Sequence, residues 1–90
     1  MKKISWLDVK KNISQGDIMD VLILKHEPYG VIVDFGYEYS GIIQITDFKD
    51  DGIMTSAEYP PIGTKIKAKV LGFKDHGFQI WFGVRPSQLK

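Results

Sequence analysis

The chain contains no cysteine, an absence that excludes disulfides, zinc ribbons and thiol catalysis together. It also lacks a charge excess, since 12 basic against 11 acidic residues leave a formal net charge of +1. No strong overall field draws in polyanions, so any nucleic-acid binding has to rest on a local patch. No apolar run follows Met1, Lys2 and Lys3. The start therefore reads as neither a signal peptide nor a membrane anchor, and a soluble, cytoplasmic protein is the expectation. Histidine is scarce: His26 and His76 each stand beside a carboxylate, Glu27 and Asp75. Two histidines on different loops define no metal site, and they read as surface residues. A nucleophile with its base is missing as well. The expectation is a protein that is not an enzyme and that carries no cofactor or metal.

What is present is enough for one small folded domain. A length of 90 residues is near the lower end of what folds unaided, and the apolar fraction of 43% is an ordinary globular value. Asp34-Phe35-Gly36 matches the tripeptide with which protein kinases hold magnesium. A kinase needs far more chain, and its glycine-rich loop, catalytic loop and strand lysine are all missing, so the match reads as coincidence. Asp47, Asp50 and Asp51 form an acid cluster without calcium-loop spacing, expected to be a solvated loop.

Hydrophobic periodicity changes once along the chain. In "SWLDVKKNI", Ser5 can cap a helix and Trp6, Val9 and Ile13 fall on one face, with Gly16 as the stop. From there the period is two. "DIMDVLILK" is rich in branched aliphatics. "GVIVDF" sets Val31, Val33 and Phe35 against Ile32 and Asp34. "SGIIQIT" turns Ile43 and Ile45 inward, Ile42 and Gln44 outward. "TKIKAKVLGF" turns Ile66, Ala68 and Val70 inward and Lys65, Lys67 and Lys69 outward. "GFQIWFG" buries Ile80 and Phe82 and presents Gln79 and Trp81. The polar, proline-bearing segment 47–63 between the third and fourth strands reads as a loop with a short helical turn. This pattern predicts an all-β protein, a five-stranded OB-type Greek-key barrel with a short N-terminal α-helix. The organisation expected is a helix at 1–15 packed on the barrel, then the barrel at 16–90 with a short C-terminal tail. Closing the barrel removes exposed strand edges, and Gly30, Gly36, Gly41, Gly63 and Gly77 stand where turns, bulges or sharp coiling are needed.

The motifs "GDIMDVLI", "YGVIVDFG", "SGIIQIT", "IGTKIKAKVL" and "IWFGVRP" follow one another as in the RNA-binding domain first described in ribosomal protein S-one. The resemblance spans residues 16–86, and the tryptophan-bearing helix ahead of it is similar to the lead-in of that protein's repeats. No single motif is specific; their shared order and spacing are. The resemblance implies that single-stranded RNA lies across the outer face of the second and third strands, where aromatic rings stack on bases. Each stack is worth about 1–3 kcal/mol and tolerates any sequence.

Carried over position by position, the resemblance puts the family's first aromatic at Tyr29 and its second at Ile32, which cannot stack. The family histidine falls on Gln44, which can hydrogen-bond a base or sugar. The loop acid corresponds to Asp75, or to Lys74 with a one-residue shift, and the following arginine to Gln79, without its charge. Lys67 and Lys69, with Lys65, Lys74 and Arg85 near them, are candidate phosphate contacts. The competing reading of the lysine row is a solvated strand face. Trp81 either stacks a base or covers barrel surface, with the helix or the tail "RPSQL" as its cover.

Two readings follow. In the first, the protein is a non-catalytic single-stranded RNA-binding domain, weak and largely sequence-independent, acting on mRNA or ribosome-associated RNA in translation or RNA metabolism. In the second, Leu22, Leu24, Ile32 and Ile42 form an apolar outer face that docks a protein partner or a second copy.

Overall fold

A computed structural model describes residues 4–89. The reading of the start at Met1, Lys2 and Lys3 lies outside the described residues, as does Lys90. Helix α1 (Trp6–Asn12) begins where Ser5, in extended conformation, accepts the Asp8 amide on its hydroxyl at 3.1 Å. Asp8 in the first turn and Lys10 and Lys11 in the last complement the helix dipole. The helix stops at Asn12, four residues ahead of Gly16, because Ile13 turns extended while its amide still bonds the Val9 carbonyl. Trp6, Val9 and Ile13 enter the core as one face.

Five strands follow: β1 (Ile18–Glu27), β2 (Gly30–Asp34), β3 (Ser40–Gln44), β4 (Lys65–Lys74) and β5 (Gln79–Gly83). They close into a barrel in the order β1-β2-β3-β5-β4, with β4 returning to β1. All pairs are antiparallel except β3 with β5, which run parallel. The expected barrel with its leading helix is the fold observed. Val21, Ile23, Val31, Val33, Ile43, Ala68, Val70, Ile80 and Phe82 fill its interior.

Two irregularities shape the wall. Leu24 is an extra residue between the Ile23–Val33 and Lys25–Ile32 pairs, and Leu71 is one between Val70–Phe82 and Gly72–Trp81. Each bulge bends its long strand so that one ribbon serves two neighbours. Two glycines are demanded by close approach. A Cβ on Gly30 would lie 2.2 Å from the Ile43 carbonyl oxygen, and one on Gly41 would lie 2.4 Å from the Phe82 ring.

The segment between β3 and β4 is less solvated than its composition suggests. It holds two short 3-10 turns, Ile45–Asp47 and Ser56–Glu58, and is pinned by Phe48 and Tyr59. These two rings stack at 5.8 Å, and the Tyr59 hydroxyl donates to the Glu27 carbonyl at 2.7 Å. Asp47 departs from the expected solvated cluster. It is only 5% exposed and accepts the Trp81 indole N–H at 2.7 Å and the Gln88 amide at 3.2 Å. Asp50 accepts Arg85 Nε at 3.2 Å and the Ser87 amide at 3.1 Å. Both acids bond the tail, Asp47 from a buried site and Asp50 from an exposed one. Trp81 is thus half-covered through Asp47 and the tail side of the molecule, not by the helix. Asp34-Phe35-Gly36 is a turn: Asp34 Oδ1 accepts the Gly36 amide at 2.8 Å and Phe35 is buried.

Candidate nucleic-acid interface

On the outside of β2, β3 and β5 the pleat and register set side chains in rows. The first row joins Gly30 to Gln44, with Tyr29 at the turn beside them. The second runs Ile32, Ile42, Trp81 and Gly72. The third runs Asp34, Ser40, Gln79 and Lys74, with Gln79 Nε2 donating to Ser40 Oγ at 3.2 Å. Tyr29, Ile32, Gln44, Lys74 and Gln79 therefore share one continuous face.

Tyr29 is 52% exposed, held at the turn by its own carbonyl, which accepts the Ile45 amide at 3.0 Å. Its ring is free to meet a planar ligand. Ile32 is half-buried in the middle row and Gln44 half-buried at the end of β3. The face is a platform with one exposed ring at the Tyr29 end and a floor of Ile32, Ile42 and the half-buried Trp81. Beside Asp34 and Ser40 it opens into a cleft of about 360 Å³ lined by Leu24, Tyr37 and Tyr39.

The remaining candidates lie elsewhere. Strand β4 pairs only with β1 and β5, so Lys65, Lys67 and Lys69 are separated from β2 and β3 by an intervening strand on each side. Lys67 Nζ also pairs with Asp20 at 3.1 Å, an exposed contact worth little in stability. Asp75 serves the helix: its Oδ1 accepts the Trp6 indole N–H at 2.7 Å and Lys10 Nζ at 2.8 Å. Lys10 and then Trp6 hold its carboxyl below the ordinary carboxylate value. His26 sits within β1, not in a loop, with Nε2 at 2.7 Å from the Pro60 carbonyl.

The apolar face is smaller than four aliphatic residues imply. Ile42 is 4% exposed between Ile32 and Trp81, Leu22 and Ile32 are half-buried, and only Leu24 on its bulge is well exposed, at 46%.

Sequence reasoning missed an aromatic cluster where α1 meets the two hairpin turns. Trp6 lies 5.3 Å from Tyr39, 6.0 Å from Phe73 and 5.9 Å from Phe78, and Tyr39 lies 6.1 Å from Phe78. Gly77-Phe78, an aromatic residue inside a turn, was the available signal.

The five strands close into an OB-type barrel whose β2–β3 side carries one exposed ring at its Tyr29 end. Residues 8–85 match the family model of the S1 RNA binding domain. The chain belongs to that family. It is 28% identical over 75 residues to the polyribonucleotide nucleotidyltransferase of Bradyrhizobium sp. (strain ORS 278), covering 82% of this chain but only 10% of that protein. Its fold is similar to the solution structure of GSP13 from Bacillus subtilis, with a TM-score of 0.73 and 19% identity over 87% of this chain and 60% of that one. It is similar also to a chain of the a/eIF2alpha-aDim2p-rRNA complex from Pyrococcus horikoshii OT3, with a TM-score of 0.72 and 16% identity over 86% and 49% of the two chains. Among the described residues no helix is long and apolar enough to cross a membrane.

Proposed function

We infer that the domain binds single-stranded RNA along the outer face of β2 and β3, as a non-catalytic module. The observation carrying this reading is that the family match covers the whole barrel while Tyr29, Ile32, Gln44 and Gln79 share that face. Binding is weak and largely sequence-independent. One exposed ring at the Tyr29 end supplies one stack, and a base presents a π-face whatever its identity. The RNA is mRNA or ribosome-associated RNA, and the setting is translation or RNA turnover in the cytoplasm. Support for that setting is the company the fold keeps: a ribonucleotide polymer enzyme and a complex that contains rRNA.

A protein-docking reading of the same barrel draws on Leu24 alone among the aliphatic candidates, Ile42 being buried. The two readings separate by substitution. Tyr29→Ala should weaken binding of labelled single-stranded RNA by about 1–3 kcal/mol without unfolding the domain. Gln44→His and Ile32→Phe add π-surface to the face and should raise affinity, Gln44→His more, because Ile32 is half-buried in register with the buried Ile42. No RNA binding by the wild type at low salt would sink this reading. Unchanged RNA affinity together with a lost self-association would hand the face to a protein.

A further inference from the structure

Phe78 is a conformational exception. It sits in the turn between β4 and β5 at φ 54°, the one described non-glycine residue in the left-handed region. An aromatic residue there is strained, and such strain persists only where the surroundings hold it. The strain is not offset by deep burial, since the residue is 53% exposed. One side of its ring leans on Trp6 and Tyr39, at 5.9 and 6.1 Å and tilted by 57° and 62°. The turn is held from its other end, where Asp75 accepts from Trp6 and Lys10 of the helix.

The position matters as much as the geometry. Phe78 directly precedes Gln79, whose side chain bonds Ser40 in the third row of the β2–β3–β5 face. Tyr29 and Gln44 stand at the opposite end of that face. From Ser40 to Gln44 the strand rises roughly 13 Å, room for a short run of nucleotides. Lys74, opposite Gln79 in register, brings a cation beside the Phe78 end.

We propose that Phe78, backed by Trp6 and Tyr39, is a second base-stacking platform of this domain, taking an unpaired nucleobase of the same RNA strand whose other end meets Tyr29. The inference rests on the RNA-binding reading above. Two exposed rings at the two ends of the face flank a middle row of Ile32, Ile42 and the half-buried Trp81, whose indole N–H is committed to Asp47. The helix becomes part of the binding apparatus, because its Trp6 supports the platform and fixes the turn.

The test uses labelled oligouridine and oligoadenine with four proteins: wild type, Phe78→Gly, Phe78→Leu and Tyr29→Ala. Phe78→Gly removes the ring and suits the left-handed backbone, so its thermal midpoint should stay level or rise. Its RNA affinity should fall by about fivefold or more, the loss of one stack. Phe78→Leu keeps apolar bulk against Trp6 without a π-face and should lose as much. In the wild type, ring protons of Phe78 should shift when RNA is added. Wild-type affinity in Phe78→Leu or Phe78→Gly, with Tyr29→Ala weakened, would overturn the platform and leave the RNA-binding reading standing. No RNA binding by any of the four would overturn both. Concentration-dependent self-association abolished by Phe78→Gly, with RNA affinity untouched, would assign the cluster to protein docking instead.

Discussion

At position 47 a carboxyl group is carried into the barrel wall, where it accepts from the Trp81 indole and the Gln88 amide. Asp47→Ala leaves both donors without a partner in a half-buried site, so it should destabilise the fold by about 1–3 kcal/mol. Urea denaturation reads this directly; Asp47→Asn, which keeps a carbonyl acceptor, should cost less. The sequence placed Asp47 in a solvated cluster with Asp50 and Asp51 because local composition is polar and the partners lie more than thirty residues away. The exposed position of Tyr29 was readable through the family resemblance, which sets an aromatic residue just before a glycine. Its neighbour Gly30 is forced by contact with β3, and that glycine marks the turn on which an aromatic residue is displayed. Phe78 was marked in the sequence only by the Gly77-Phe78 turn, since backbone strain and a ring cluster assembled from separate elements leave no periodic trace.

At the scale of elements, the Asp75 carboxylate joins α1 to the β4–β5 turn beside the Trp6–Phe78 ring contact. Asp75 accepts from both Trp6 and Lys10, and its folded-state pKa is lowered from the ordinary value of 3.8 by the Lys10 and Trp6 hydrogen bonds. A depressed carboxylate contributes fully above its unfolded value and loses that contribution as the pH falls through the lowered folded value. The tether should therefore hold across neutral and mildly acidic pH and release only below about 3.8. The Trp6 indole N–H resonance followed in an acid titration reads this; a shift near neutrality would contradict it. The strands themselves were well forecast, because alternation in β2 and β4 fixes which face is buried. The bulges at Leu24 and Leu71 were not, since one extra residue in a long apolar strand leaves alternation readable on either side. Leu24, expected outward, stands well exposed on its bulge, while the burial of Ile42 shrinks the apolar face.

For the whole molecule, closure of the barrel decides which candidate residues act together. Parallel pairing of β3 with β5 brings Gln79 beside Ser40 and puts Lys74 next to it, whereas the Lys65–Lys69 row is carried to a different side. Fold class was readable from strand count and order; this partition was not, because it depends on which edges meet. With a net charge of +1 the protein has little long-range pull on RNA, so binding depends on the local face and on salt. The direct measurement is a titration of isotopically labelled protein with single-stranded RNA at two salt concentrations, following the amide shift of every residue. The account predicts shifts confined to Tyr29–Ile32, Ser40–Gln44 and Lys74–Gln79, weaker at the higher salt, with Lys65, Lys67 and Lys69 unmoved. Shifts concentrated along Lys65–Lys69 and Asp20, with Tyr29 and Gln44 silent, would contradict it.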